Sequence, residues 1–206
     1  MLRDERVARY GGELFCFRAV FPDKEAGGFS LIELMVTVSV AAVLMAIAIP
    51  AFSSMMAQNQ LSAATNAARG ALMSARQSAV MKGRPVSLCA GTPTEGCSGD
   101  WSAGEWLVFR DDDHSGDLDD DERVVRHGRV PAADGAVSLD GNGPFRSALV
   151  YVPMGHAERV SGAFGAGRLR VCVAADLSPN ARELVISASG RVRLQVVDFD
   201  GTCPSL

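Results

Sequence analysis

The segment Phe29 to Ile49, FSLIELMVTVSVAAVLMAIAI, constrains this chain more than any other feature. It holds twenty-one consecutive positions with a single charge, Glu33. About 20 apolar residues are enough to cross the hydrocarbon core of a bilayer as a helix. The run is too long for the apolar core of a cleaved secretory signal, which is about 7–15 residues, and no A-x-A-type cleavage site follows it at the right distance. Arg3, Arg6, Arg9, Arg18 and Lys24 precede it, and the first basic residue after it is Arg69. Lys and Arg stay on the cytoplasmic side, so the N-terminus is expected in the cytoplasm and everything beyond the helix across the membrane. Glu33 is costly inside such a helix and marks a functional position. Its natural partner is a cation in the same layer. The alternative is a plain single-span anchor whose Glu33 stays wet near the surface.

Composition removes two further classes. Twenty Lys and Arg against 24 Asp and Glu give a formal charge of −4, which excludes a uniformly basic coat for nucleic acid. With 48% apolar and 21% charged residues the chain is also not intrinsically disordered.

The five cysteines agree with the topology. Cys16 precedes the span; Cys89, Cys97, Cys172 and Cys203 form an even set in the exported region, where disulfides persist. Three pairings are open. Cys89–Cys97, closing a short Gly/Pro/Thr loop, and Cys172–Cys203, tying the tail to a strand, are favoured. No pair has the spacing of zinc ligands.

The charged N-terminal segment ends in Gly27-Gly28 and meets Phe29-Ser30-Leu31-Ile32-Glu33. This junction resembles the prepilin family, the type IV pilins and the pseudopilins of type II secretion. The matched stretch runs about 25 residues, from Gly28 to Phe52, with Pro50 where many members carry a helix-kinking proline. The resemblance implies cleavage between Gly28 and Phe29 by a prepilin peptidase, N-methylation of Phe29, and an assembly role for Glu33. The freed amine of a neighbouring subunit would supply the cation. A 28-residue leader is long for the family; a start at Val20 would shorten it.

After Pro50 the helical pattern continues. Leu61, Ala64, Ala68, Leu72, Ala75 and Ala79 recur at 3–4 spacing until Gly83 and Pro85 stop it. From Arg84 the pattern changes to short strands with Gly and Pro between them. Candidates are 85–90, 105–110, 123–127, 136–139, 149–153, 168–174, 183–188 and 191–199. The expected organisation is a leader over 1–28, a membrane-spanning helix over 29–50, a helical stem over 51–83 and a β-rich head over 84–206. The class is α+β: a pilin-like lollipop, one long N-terminal helix carrying an antiparallel all-β head.

The head narrows the resemblance to the GspH/FimT family of minor pseudopilins and minor pilins. The residues that carry it are Ser74-Ala75-Arg76-x-x-Ala79-x-x-x-Gly83, Val86-Ser87-Leu88-Cys89, Trp106-Leu107-Val108-Phe109-x-Asp111, Glu122-x-Val124-Val125-Arg126, Pro153-x-Gly155 and Gly190-Arg191-Val192-Arg193.

Between two of these pieces, Asp111 to Glu122 packs eight carboxylates into twelve residues. Asp111, Asp113, Ser115, Gly116 and Glu122, with Asp117 as a further oxygen, nearly follow the spacing of an EF-hand loop, which makes Ca²⁺ a candidate ligand. A strand rather than a helix is expected to enter the loop, and a solvated acidic hairpin is the alternative. Without those eight carboxylates, residues 29–206 keep 15 basic and 11 acidic side chains, a net positive remainder.

These readings point first to a structural role: a non-enzymatic subunit, needing no cofactor, of a short pilus-like assembly of the inner membrane and periplasm. It would serve type II secretion or type IV pili, with other pilins, the peptidase and the inner-membrane assembly platform as partners. The second class is a DNA-binding minor pilin. Some FimT-like members bind DNA through a Gly-Arg-x-Arg motif, here Gly190, Arg191 and Arg193. His114, His127 and His156 have no nucleophile motif nearby, and Gly162, Gly165 and Gly167 follow no phosphate-binding strand–helix turn.

Overall fold

A computed structural model describes residues 28–206 apart from Ala132 and Asp134. The leader and Cys16 lie outside the described residues. Helix α1 runs Leu31–Lys82 and is followed by β1 (Val86–Thr92), β2 (Gly96–Cys97), β3 (Glu105–Arg110), β4 (Val124–Arg129), β5 (Ser138–Gly141), a 3-10 turn (Gly143–Arg146), β6 (Ala148–Tyr151), β7 (Ala157–Arg159), β8 (Gly167–Cys172), β9 (Ala181–Ile186) and β10 (Val192–Val197). A long N-terminal helix followed by antiparallel sheets is the pilin-like α+β class expected. The described residues divide into two units, the first ending at Met45 and the second Ala46–Leu206.

In the first unit the helix starts where Ser30 caps it: the Glu33 amide donates to Ser30 Oγ at 3.2 Å. Ser at the N-cap with Glu three residues on is the pattern of a capping box. This helix is apolar enough to cross a membrane, and none of its most apolar stretch is buried in the chain. Phe29, Leu31, Ile32, Val43 and Leu44 are all exposed. The hydroxyls of Thr37 and Ser39 donate back to the Leu34 and Val36 carbonyls at 2.9 and 2.8 Å, so neither shows an unpaired donor to an apolar surrounding.

In the second unit α1 continues past Pro50 and buries Ala57, Leu61, Ala64, Thr65, Ala68, Ala71, Leu72, Ala75 and Ala79. All six positions of the expected stripe are among them. Alanine on that face lets the backbone approach closely. Gly83 at φ +61° ends the helix in the left-handed conformation that favours glycine.

The strands form two antiparallel sheets. One has the order β4-β3-β1-β6-β7, with β2 also on β1; the other has the order β10-β9-β8-β5. Strand β1 is central in the first sheet: Leu88 faces Val108 on β3 and Leu149 on β6. Both faces of its central strands β1, β3 and β6 are buried. Val86, Leu88, Ala90, Trp106, Val108, Leu149 and Tyr151 join the helix stripe and Leu169, Val171, Leu184 and Ile186 of the second sheet in one core. On the opposite face Cys89, Leu107, Phe109 and Ala148 form a separate cluster.

All eight expected head strands begin and end within two residues of the observed ones. Strands β2 and β7, two and three residues long, were not anticipated. Arg191 precedes β10 rather than lying in it.

Candidate functional site

The acidic loop links β3 to β4 and does not float free. Gly116, at φ +75°, lies so close to the outer face of the first sheet that a Cβ there would meet Val160 Cγ2 at 2.4 Å and Ala148 Cβ at 3.2 Å. Leu118 and Val160 pack onto the outer cluster. The loop therefore folds back over the sheet and holds Asp111 beneath it, with no exposed surface. Ser87, on the same face of β1, donates to Asp111 Oδ2 at 2.5 Å, and the Gly116 amide donates to the same oxygen at 3.1 Å. Asp111 Oδ1 is buried with no hydrogen-bond partner among the described residues.

Two more carboxylates converge on Asp111. Asp113 Oδ1 accepts the Ser115 amide at 2.9 Å. Glu122 accepts the Asp112 amide on Oε1 at 3.0 Å and the Asp119 amide on Oε2 at 3.3 Å. Asp111, Asp113 and Glu122 each bring one oxygen within 4.8 Å of the other two, an arrangement that could bind a metal. Like charges this close repel one another. Burial pushes the Asp111 carboxyl up, against the opposing pull of the Ser87 and Gly116 hydrogen bonds. Burial also raises Glu122, whereas the Ser115 amide lowers Asp113.

The nearby basic side chains point elsewhere. Arg84 and Arg110 lie 3.5 and 2.8 Å from the carboxylate of Asp112, and His114 and His156 lie 3.7 and 2.8 Å from that of Glu158. Ser115 and Asp117, both in the expected ligand set, close on each other: Ser115 Oγ donates to the Asp117 carbonyl at 3.1 Å and accepts its amide at 3.2 Å. Sequence reasoning missed Ser87; its signal was a polar residue inside the apolar run Val86–Ala90.

The Gly-Arg-x-Arg motif has a packing role of its own. Gly190 sits at φ +73°, and a Cβ there would lie 2.1 Å from the Gly155 carbonyl oxygen. Arg76 of α1 donates through Nε to that same carbonyl at 2.9 Å and through Nη2 to the Ser189 carbonyl at 3.4 Å. Three of the pieces quoted from the sequence thus meet at one point. Arg191 and Arg193 are exposed. Neither forms an ion pair among the described residues; Glu183 pairs with Arg168 and Arg170, and Asp198 accepts from Ser178.

On the outer face of the second sheet the C-terminal segment is strapped down. Disulfides join Cys89 to Cys97 and Cys172 to Cys203. Arg170 and Glu183, 8% and 2% exposed, pair at 2.7 Å. Arg170 Nη1 also donates to the Pro204 carbonyl at 2.6 Å, and its guanidinium lies 4.4 Å from the Phe199 ring centroid.

Two family models match the sequence. That of the prokaryotic N-terminal methylation motif covers residues 24–49, across the Gly28–Phe29 junction and Glu33. That of the type II transport protein GspH covers residues 64–190, more than half of the chain. The chain belongs to the GspH family. Its members are structural rather than enzymatic, and family membership implies assembly with other pilins and processing by a prepilin peptidase. The methylation motif together with the apolar helix is consistent with anchoring in the inner membrane. The chain is similar to two crystal structures of the type IV minor pilin FimU of Pseudomonas aeruginosa, and the first of them shows the fold. One is 19% identical over 67% of this chain and 90% of that chain, with a TM-score of 0.50. The other is 18% identical over 66% and 92%, with a TM-score of 0.47. No curated protein matches.

Proposed function

We propose that this GspH-family chain is the precursor of a minor pseudopilin or minor pilin, a structural subunit of a pilus-like assembly. Residues 29–50 would hold it in the bacterial inner membrane as a single pass, with its N-terminus in the cytoplasm and residues 84–206 in the periplasm. The observation that carries this reading is the methylation motif over 24–49, a range that spans Gly28, Phe29 and Glu33, together with a helix that leaves its apolar side chains uncovered. Cleavage would free the Phe29 amine, and a neighbouring subunit's amine would neutralise Glu33. Mass spectrometry of the chain extracted from membranes of cells with active prepilin peptidase is expected to find an N-methylated Phe29 terminus. An intact leader would refute the reading.

A second role in DNA uptake is supported by the exposed Arg191 and Arg193, which have no carboxylate partner among the described residues. Weak binding of duplex DNA, without sequence preference, is expected. Replacing both arginines by alanine should lower affinity on every sequence and reduce the salt slope by about 2. Binding untouched by the double substitution would reject this site.

A further inference from the structure

We propose that the loop between β3 and β4 is a calcium site whose protein ligands are the carboxylates of Asp111, Asp113 and Glu122. The site uses residues of the second unit alone and is independent of the pilin reading.

The argument starts from Asp111. A buried carboxylate oxygen normally finds a donor, and one left without a partner calls for an explanation. Oδ2 is committed to Ser87 and Gly116, and Oδ1 has no partner among the described residues. A water could donate to Oδ1, but it would leave three carboxylates converging within 4.8 Å of one another. Arg84 and Arg110 lie against Asp112, and His114 and His156 against Glu158. A bound cation answers both observations at once.

The donor set selects the ion. Three carboxylates and no sulfur or imidazole describe a hard site. Oxygens bound to one Ca²⁺ at about 2.3–2.6 Å lie at most about 5 Å apart, and these three are inside that limit. Calcium takes about 6–8 oxygens in irregular geometry, so waters can complete its shell. Mg²⁺ demands a tighter octahedron at about 2.0–2.1 Å and gives up its waters reluctantly. Asp113 and Glu122 are already held by amide donors of the loop, so little has to move when the ion enters. The set differs from an EF-hand in losing Ser115 and Asp117 to each other.

The test is equilibrium dialysis of the full chain in detergent against Ca²⁺. One ion per chain is expected, with a dissociation constant of about 10⁻⁴–10⁻³ M, the range of extracellular calcium modules. Asp113→Asn and Glu122→Gln, both outside the core, should each weaken binding at least tenfold while the far-ultraviolet circular dichroism stays that of the parent. Asp120→Asn, an equal change of charge at an exposed position of the same loop, and Ser115→Ala should leave binding within about twofold. Less than one ion per five chains at about 10 mM free Ca²⁺, ten times the weak end of that range, would overturn the proposal. So would Mg²⁺ bound as tightly as Ca²⁺, or a loss in Asp120→Asn or Ser115→Ala as large as that in Asp113→Asn.

Discussion

Gly190→Ala is a substitution whose cost can be worked from the geometry, because Gly162 provides its control. Both residues have left-handed backbone, at φ +73° and +77°. A Cβ on Gly162 meets nothing within 4 Å. Alanine there bears only the conformational penalty, about 1–2 kcal/mol. A Cβ on Gly190 falls 2.1 Å from the Gly155 oxygen and 3.1 Å from Tyr151 Cε1. The first of these is backbone, and moving it stretches the bond from Arg76 Nε. Losing a hydrogen bond from a charged donor adds about 1.5–3 kcal/mol. Gly190→Ala should therefore be the less stable variant by roughly 2–3 kcal/mol, which for a unit of this size lowers the melting temperature by about 4–12 °C more than Gly162→Ala does. Tryptophan fluorescence during thermal unfolding in detergent reads this directly, since Trp101 and Trp106 both lie in the core. Melting temperatures equal for the two variants would refute the reasoning, and with it the view that Gly190 is a packing residue.

Other perturbations probe the remaining parts. Arg170→Met strands the buried Glu183 carboxylate and should cost about 3–5 kcal/mol, most of which Arg170→Met combined with Glu183→Leu should restore; chemical denaturation of the three proteins measures it. Replacing Cys172 and Cys203 by serine should cost about 3–4 kcal/mol, against about 2–3 kcal/mol for Cys89 and Cys97, because the first pair closes the longer loop, 31 residues against 8; melting of both variants gives the order. Glu33→Ala should leave membrane insertion intact, as judged by carbonate extraction, and reduce recovery of the chain in sheared filaments. Undiminished recovery would remove the assembly role of that carboxylate.

What the sequence made legible was local. The apolar run, the stem stripe from Leu61 to Ala79 and strand Glu105–Arg110 each declare themselves within a dozen residues. Strands β2 and β7 are too short to show alternation, and they exist because β1 and β6 offer them a partner. The eight carboxylates were visible, but which of them converge was not. That depends on Gly116 settling against Ala148 and Val160, residues more than thirty positions away. Arg170 and Glu183 read as ordinary polar positions of half-exposed strands; burial by the C-terminal strap makes them a pair.

The first sheet separates two interiors that have no residue in common: the core it builds with the helix, and the outer cluster beneath the acidic loop. Such a wall changes what mutation can reach. Insertions, deletions or new charges in the β3–β4 loop would be felt by Cys89, Leu107, Phe109 and Ala148 and go no further, while the helix-facing core stays as it was. A lineage could lengthen this loop, empty it of acids or trade its ligand without renegotiating the surface by which the helix is held. The loop can therefore change while the residues that pack against the stem stay the same.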